Sequence, residues 1–344
     1  MDIRIAQDQQ TWDGFLSKQQ FRPFLQSWTM GEVYRDTNQP PIRLEAIDED
    51  KTVGICQAIV VNARRGRHLA VPYGPVISGK MILDALKEEA LKRHCSFIRL
   101  SPFLPEGQLA LSSQHVALSS PLHLLAEHIW YIPLQTPNPW EEETTTSKPV
   151  TEEEILKGMR KNTRNLIRRA EKEGVTIEAS THPLRDLDTF ITLHEETRKR
   201  HQFTPYTNTF FEAQVRHFSA RNECTMYKAL YDGEVIACSI HMHAFGETSY
   251  HHGASTHAHA KIPASYLLQW TAIQDALKRG DHVYNFWGIS PEGQSKHPFA
   301  GVRTFKTGFG GQLLEIAHCI DVPLKSRYYA TRAFETFRKW RRGF

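Results

Sequence analysis

Five cations, Lys157, Arg160, Lys161, Arg164 and Arg168, recur at helical spacing and share one face opposite an apolar stripe of Ile155, Leu156, Met159, Leu166, Ile167 and Ala170. Acids that would pair with them at i,i+4 are almost absent, so this face reads as a positive rail for a polyanion rather than an ordinary salt-bridged surface. A second concentration of charge closes the chain, where Arg332, Arg338, Lys339, Arg341 and Arg342 alternate with Tyr328, Tyr329 and Trp340. Cations beside stacking rings suit RNA, and the same tail suits peripheral contact with the inner face of a membrane. Three histidine pairs, His241 with His243, His251 with His252 and His257 with His259, invite a metal reading. No carboxylate or cysteine accompanies them at ligand spacing, so polar histidines satisfied within a strand pair are expected, and no metal.

The helix that must carry the rail is expected from Thr151 to Gly174, with Thr151 and Glu154 forming a capping box and Gly174 ending it. Before it, short β-like runs at Ile42–Ile47, Gly54–Val61 and Phe97–Leu100 enclose a helical stretch from Ile82 to Arg93. After it come a helix from Asp188 to Phe203, a hairpin from Thr225 to Ser255 turning at Asp232-Gly233, and a helix from Ala264 to Gly280. The text between Pro133 and Val150 is rich in Pro, Thr and Glu and reads as a linker.

With 344 residues, two α/β (α+β) domains are expected. The 42 basic and 38 acidic residues nearly balance, which leaves recognition to local clusters. Five scattered cysteines form no CxxC pair, and the N-terminus has no basic-then-apolar leader, so a cytoplasmic protein is expected.

The stretch from Arg160 to Val175 resembles the helix signature of the FemABX family of peptidoglycan-bridge aminoacyl transferases. Other segments resemble family blocks in the same order: Leu25-Gln26-Ser27, Pro72 to Val76, Phe97 to Pro102, Tyr250 to Ser255, Tyr284 to Gly288, and Gly301 to Gly311. The resemblance implies two domains like those of GCN5-related acyltransferases, with the C-terminal helix packing back on the first. The domains would be residues 1–145 plus about 323–344, which bind the precursor, and residues 146–322, which take the aminoacyl-tRNA end. Gly174 runs directly into strand-like text, so the chain is similar to the short, FemX-like type without a helical arm.

What the resemblance implies chemically is transfer of an amino acid from aminoacyl-tRNA to the stem-peptide amine of a peptidoglycan precursor, by a monomer with no cofactor. Lys306 would stabilise the oxyanion and Phe305 would pack on the acceptor end. Gly301, Gly308, Gly310 and Gly311 would permit close approach of a bulky ligand. Arg35 and Arg200 would meet the precursor's diphosphate, with Tyr73, Gly74, Arg99 and Ser101 in the same substrate-binding blocks. Arg160, Lys161, Arg164 and Arg168 would bind tRNA. Ser101 stands where an acid is expected, which points away from a protein carboxylate as base. The competing reading is an acyl-CoA-dependent N-acyltransferase on the same fold. Against it stand Ile262 and Pro263, at the place where a pyrophosphate would need a glycine and backbone N–H groups.

Overall fold

The structure is a computed structural model that describes residues 2–342 apart from 64–65, 77–79, 108–116, 143–145, 202–205 and 295–296. It contains two compact units, Met1–Glu127 with Glu315–Phe344, and His128–Leu314. The change of unit therefore falls before His128 rather than at the expected 145/146, and the chain returns at Glu315 rather than near 323. The segment read as a linker is instead built into the second unit. Leu134 and Trp140 are buried, the Leu134 amide donates to His282 O over 2.9 Å, and Trp140 packs on Tyr131. Residues 143–145 of that segment lie outside the described residues.

In chain order the first unit contains β1 (Asp2–Ile5), α1 (Gln9–Leu16), α2 (Trp28–Asp36), β2 (Ile42–Asp48), β3 (Lys51–Ala63) and β4 (Gly66–Pro72). It continues with α3 (Lys80–Lys92), β5 (Phe97–Ser101) and β6 (Leu118–Ser119). The second unit opens with β7 (His128–Pro133), β8 (Gln135–Thr136), β9 (Lys148–Pro149), α4 (Glu152–Gly158), α5 (Lys161–Lys172) and β10 (Thr176–Ala179). Then come α6 (Pro183–His201), α7 (Asn208–Ser219), β11 (Cys224–Tyr231), β12 (Glu234–Ala244) and β13 (Glu247–Ser255). It closes with α8 (Ala264–Arg279), β14 (Val283–Gly288), α9 (Ala300–Thr307) and β15 (Gln312–Glu315). The chain ends in β16 (Ile320–Pro323) and α10 (Arg327–Arg342).

The first unit is built on a sheet in the order β1-β2-β3-β4-β5-β16-β6, antiparallel except where β4 meets β5. Alternate residues of its strands, Leu44, Cys56, Leu69, Ile98, Leu100 and Val322, meet Ile82, Leu83, Leu86 and Ala90 of α3 in one core. The C-terminal helix α10 packs on this unit, as the resemblance implied. Arg99 of β5 holds Asp321 of β16 and Glu335 of α10 at 2.7 Å each, and Tyr328 donates to Asp321 at 3.1 Å.

The second unit has the sheet order β10-β11-β12-β13-β14-β7-β15, with β13 and β14 parallel. Its hairpins turn where left-handed residues allow it: Asp232 and Gly233 at φ 49° and 82°, and Phe245 and Gly246 at 55° and 78°. The expected hairpin is therefore three strands. The Thr151–Glu154 capping box is present, yet the helix read as continuous to Gly174 breaks after Gly158 into α4 and α5. Met159 and Arg160 turn extended there, and the Arg160 amide donates to Gly308 O at 2.9 Å. The helix expected to reach Phe203 is described to His201; residues 202–203 lie outside the described residues.

Candidate functional site

Lys306 enters the interior of the second unit from α9. Its Nζ donates to Gly288 O at 2.8 Å and lies 5.5 Å above the centre of the Tyr250 ring. Among the described residues no acid pairs with it, and burial alone brings its pKa down to about 7. A lysine held without a carboxylate is a cation whose unmet need is an anion.

The carbonyl that holds Lys306 is itself held in strain. The β14–β7 register slips between Asn285 and Gly288, and Trp287 in that bulge has φ 66°, a conformation a bulky residue rarely adopts. It is pinned from behind: the Trp287 amide donates to Asn285 Oδ1 at 2.7 Å, and Asn285 Nδ2 donates to Glu247 Oε1 at 2.8 Å. On the other side the His251 ring stands edge-on to Trp287, 4.9 Å between centres. Desolvation, helped by the Lys306 charge, drives His251 down to about 3, so it is neutral at physiological pH. Trp287 and His251 were visible only as parts of the Tyr284 to Gly288 and Tyr250 to Ser255 blocks; their roles depend on the bulge.

The residue before Lys306 faces elsewhere. Phe305 lines a cavity of about 430 Å³ together with Arg200, His257, His259, Lys261 and Tyr266, a size suited to a small-molecule end. Phe305 meets Tyr266 edge-on at 4.9 Å, and Arg200 donates to Ser255 Oγ at 3.2 Å on the cavity wall. Aromatic faces beside cations are what a base and its phosphate require. Tyr266, Lys261 and the His257–His259 pair were not foreseen as a lining; a basic loop ahead of α8 was the available signal.

That loop opens α8 poorly for a pyrophosphate. The Ile262 amide is spent on His259 O at 2.9 Å, Pro263 has none, and the Tyr266 amide is spent on Pro263 O at 3.0 Å.

With this geometry in place, four likenesses bear on the chain. A model of the acetyltransferase (GNAT) domain matches residues 157–298. FemA of Staphylococcus aureus, an aminoacyltransferase, is 32% identical over 84 residues, which is 24% of this chain and 20% of FemA. The matched part thus spans about a fifth of that relative's length. The crystal structure of FemX superposes with a TM-score of 0.80 at 17% identity, covering 96% of this chain and 99% of FemX. The chain has the fold of FemX and, over a quarter of its length, a sequence similar to FemA. A more distant likeness of fold, TM-score 0.57 at 13% identity over 94% and 95% of the two chains, is to the C-terminal domain of a lysylphosphatidylglycerol synthetase from Agrobacterium fabrum.

The FemABX-like blocks of the first unit prove to be held by one another. Gln26 of the Leu-Gln-Ser block is fully buried; its Nε2 donates to Gln57 O at 3.1 Å and Pro72 O at 2.7 Å, and its Oε1 accepts from the Gln57 amide at 2.7 Å. A Cβ at Gly74 would stand 2.7 Å from the Gln26 side chain, so glycine is required there for internal packing. Tyr73, at φ 51°, is buried against Phe103 and donates to Ala126 O at 2.9 Å. Arg99 is committed to Asp321 and Glu335, and Ser101 is buried with its Oγ unpartnered among the described residues. Of the residues assigned to precursor binding in this unit, only Arg35 is exposed, and it pairs with Glu32 at 3.0 Å. Glu32 also takes the buried Arg43 at 2.7 Å.

The basic rail divides similarly. Lys157, Lys161 and Arg168 are exposed. Arg160 donates to Thr307 Oγ1 at 3.0 Å, and Arg164 donates to the carbonyls of Leu156 and Met159, tying the helix break together. The glycines expected to admit a ligand are packed on the protein itself: a Cβ at Gly310 would stand 2.8 Å from Gly158 O at this break, and one at Gly311 2.2 Å from Tyr131 O of β7. Only Gly301 has open space.

The strand histidines are internal. His241 Nε2 bonds Tyr284 Oη at 2.9 Å, His243 bonds Thr225 and Thr248, and His252 bonds Gln214 at 2.9 Å. Donor atoms that could meet on a metal lie instead in the first unit, where His123, Glu127 and His318 come within 4.8 Å of one another.

Proposed function

We propose that the chain transfers an amino acid from aminoacyl-tRNA to the stem-peptide amine of a peptidoglycan precursor, nucleotide-linked or lipid-linked. The observation that carries this is the buried Lys306, unmatched by any acid among the described residues and next in sequence to Phe305, which lines the cavity. The amine nitrogen bonds to the ester carbonyl carbon, the bond from that carbon to the ribose oxygen breaks, and the proton lost by the amine ends on the ribose hydroxyl. Between these events the carbonyl oxygen carries a negative charge. Lys306 answers that charge, and desolvation strengthens the contact because little water competes. Phe305 and Tyr266 take the terminal base, with Lys261 on its phosphates; Arg200, expected on the precursor's diphosphate, lines this cavity and is assigned to the same phosphates instead. Lys161 and Arg168 meet the acceptor stem, and Arg35 meets the precursor's diphosphate in the first unit. Both substrates are made in the cytoplasm, so the reaction belongs there. The Ile262 amide, spent ahead of α8, and the Pro263 gap argue against CoA as donor.

Thermal protection tests the donor. Aminoacyl-tRNA should raise the melting temperature by mass action, and acetyl-CoA should leave it unchanged. Protection by acetyl-CoA with acetyl transfer to an amine would replace this reading with the CoA-dependent one.

A further inference from the structure

Helix α10 turns its apolar side away from the unit it packs on. The residues facing inward are Tyr328, Thr331 and Glu335, all buried, with Glu335 held by Arg99. At about 100° per residue, Tyr329, Ala333, Phe337 and Trp340 fall on the opposite side and Phe334 at its edge. All four rings are exposed: Tyr329 at 54%, Phe334 at 44%, Phe337 at 55% and Trp340 at 77%. A surface helix ordinarily shows the reverse, apolar inward and polar outward. Contiguous exposed aromatics on one helix mark a contact site rather than scattered surface residues.

The charges identify the occupant. Glu335, the helix's acid, is turned inward onto Arg99, while at the same spacing Arg341 falls between Phe334 and Phe337 and Arg338 flanks Phe334 at the edge of the ring face. Rings with cations beside them match the boundary between lipid headgroups and acyl chains under an anionic surface. Among the described residues no helix is long and apolar enough to cross a membrane, so this helix would lie on one. A second copy fits worse, since pairing two such faces would bring their cations together. RNA fits worse because the rings sit on a convex helix with no groove to track a backbone.

We propose that α10 docks the protein on an anionic lipid bilayer, with Tyr329, Phe334, Phe337 and Trp340 in the interface and Arg338 and Arg341 on lipid phosphates. The proposal does not depend on which reaction the second unit performs.

Co-sedimentation of the whole protein with vesicles tests it. Phosphatidylcholine vesicles should leave it in solution, and vesicles with added phosphatidylglycerol should pellet it, less so at high salt. Phe337→Ser with Trp340→Ser should cut that binding about tenfold or more without changing the melting temperature, because both rings are exposed. Arg338→Gln with Arg341→Gln should erase the preference for the anionic lipid, and serves alone if the first variant misfolds. Equal binding to both vesicle types, or unchanged binding by the variants, overturns the proposal. So does a native dimer that the ring variant dissociates, or loss of charged-tRNA binding in that variant with vesicle binding intact.

Discussion

Lys306 and Gly288 meet through a single hydrogen bond, Nζ to carbonyl oxygen at 2.8 Å, across the strained Trp287 bulge. The bond fixes where the ammonium points while leaving its charge unneutralised. Lys306→Met should therefore lower the rate of transfer by about 10²-fold or more, with precursor and tRNA affinity nearly unchanged. Single-turnover rates and binding titrations separate the two effects. A parent-like rate would make Lys306 a structural residue.

The Lys306 charge also sets a pH limb. In the resting protein it is protonated below about 7, so if the cation acts in the transition state, kcat/KM should fall as pH rises through that value. The acceptor amine must lose its proton, which gives an opposing rise. Comparing the native profile with that of Lys306→Met isolates the falling limb, which should be missing from the variant.

Stability should respond to acid earlier than carboxylates alone would dictate. Burial holds His241 and His251 down to about 3 from an ordinary 6.5, and His243 and His252 are depressed by the same cause. The unfolded chain binds protons on these rings as pH drops below about 6.5 while the folded protein does not. Their stabilisation is thus complete above that value and is lost progressively as pH falls toward 3. Denaturant melts between pH 7 and 4 should show the decline, and His243→Gln should make it shallower.

Arg99→Leu should act on stability and not on precursor affinity. It leaves Asp321 and Glu335 buried without their cation, a loss of about 3–5 kcal/mol. A precursor titration on folded variant with a large rise in Kd and an unchanged melt would return Arg99 to the binding site.

The two kinds of cation on the rail should behave differently. Lys161→Gln with Arg168→Gln should flatten the salt dependence of tRNA binding by about one unit of slope per phosphate contact, with no effect on melting. Arg164→Gln should destabilise by about 1–3 kcal/mol because it strips donors from the carbonyls at the helix break.

Much of this was legible in local pattern. The Thr151 capping box, the Asp232-Gly233 turn and α8 ending on left-handed Gly280 each rest on neighbours in sequence. The break at Met159 was not legible, because the apolar spacing runs straight through it and its cause is Gly308, far along the chain. Arg99 misled for a similar reason: its partners, Asp321 and Glu335, lie 222 and 236 residues away. The glycines near Lys306 were recognisable as sites of close approach, but sequence could not say that the approaching groups were Gly158 and Tyr131. Polar composition around residues 135–149 looked like a linker because the anchors, Leu134 and Trp140, are few.

The most direct test of the central claim is to incubate the purified protein with a set of charged tRNAs and a UDP-linked muropeptide, and to weigh the muropeptide by mass spectrometry. One amino-acid residue should be added, from one charged tRNA, at the stem-peptide amine, and Lys306→Met should all but abolish the addition. An unmodified precursor with every charged tRNA and with a lipid-linked acceptor, alongside acyl transfer from acetyl-CoA, would contradict the account.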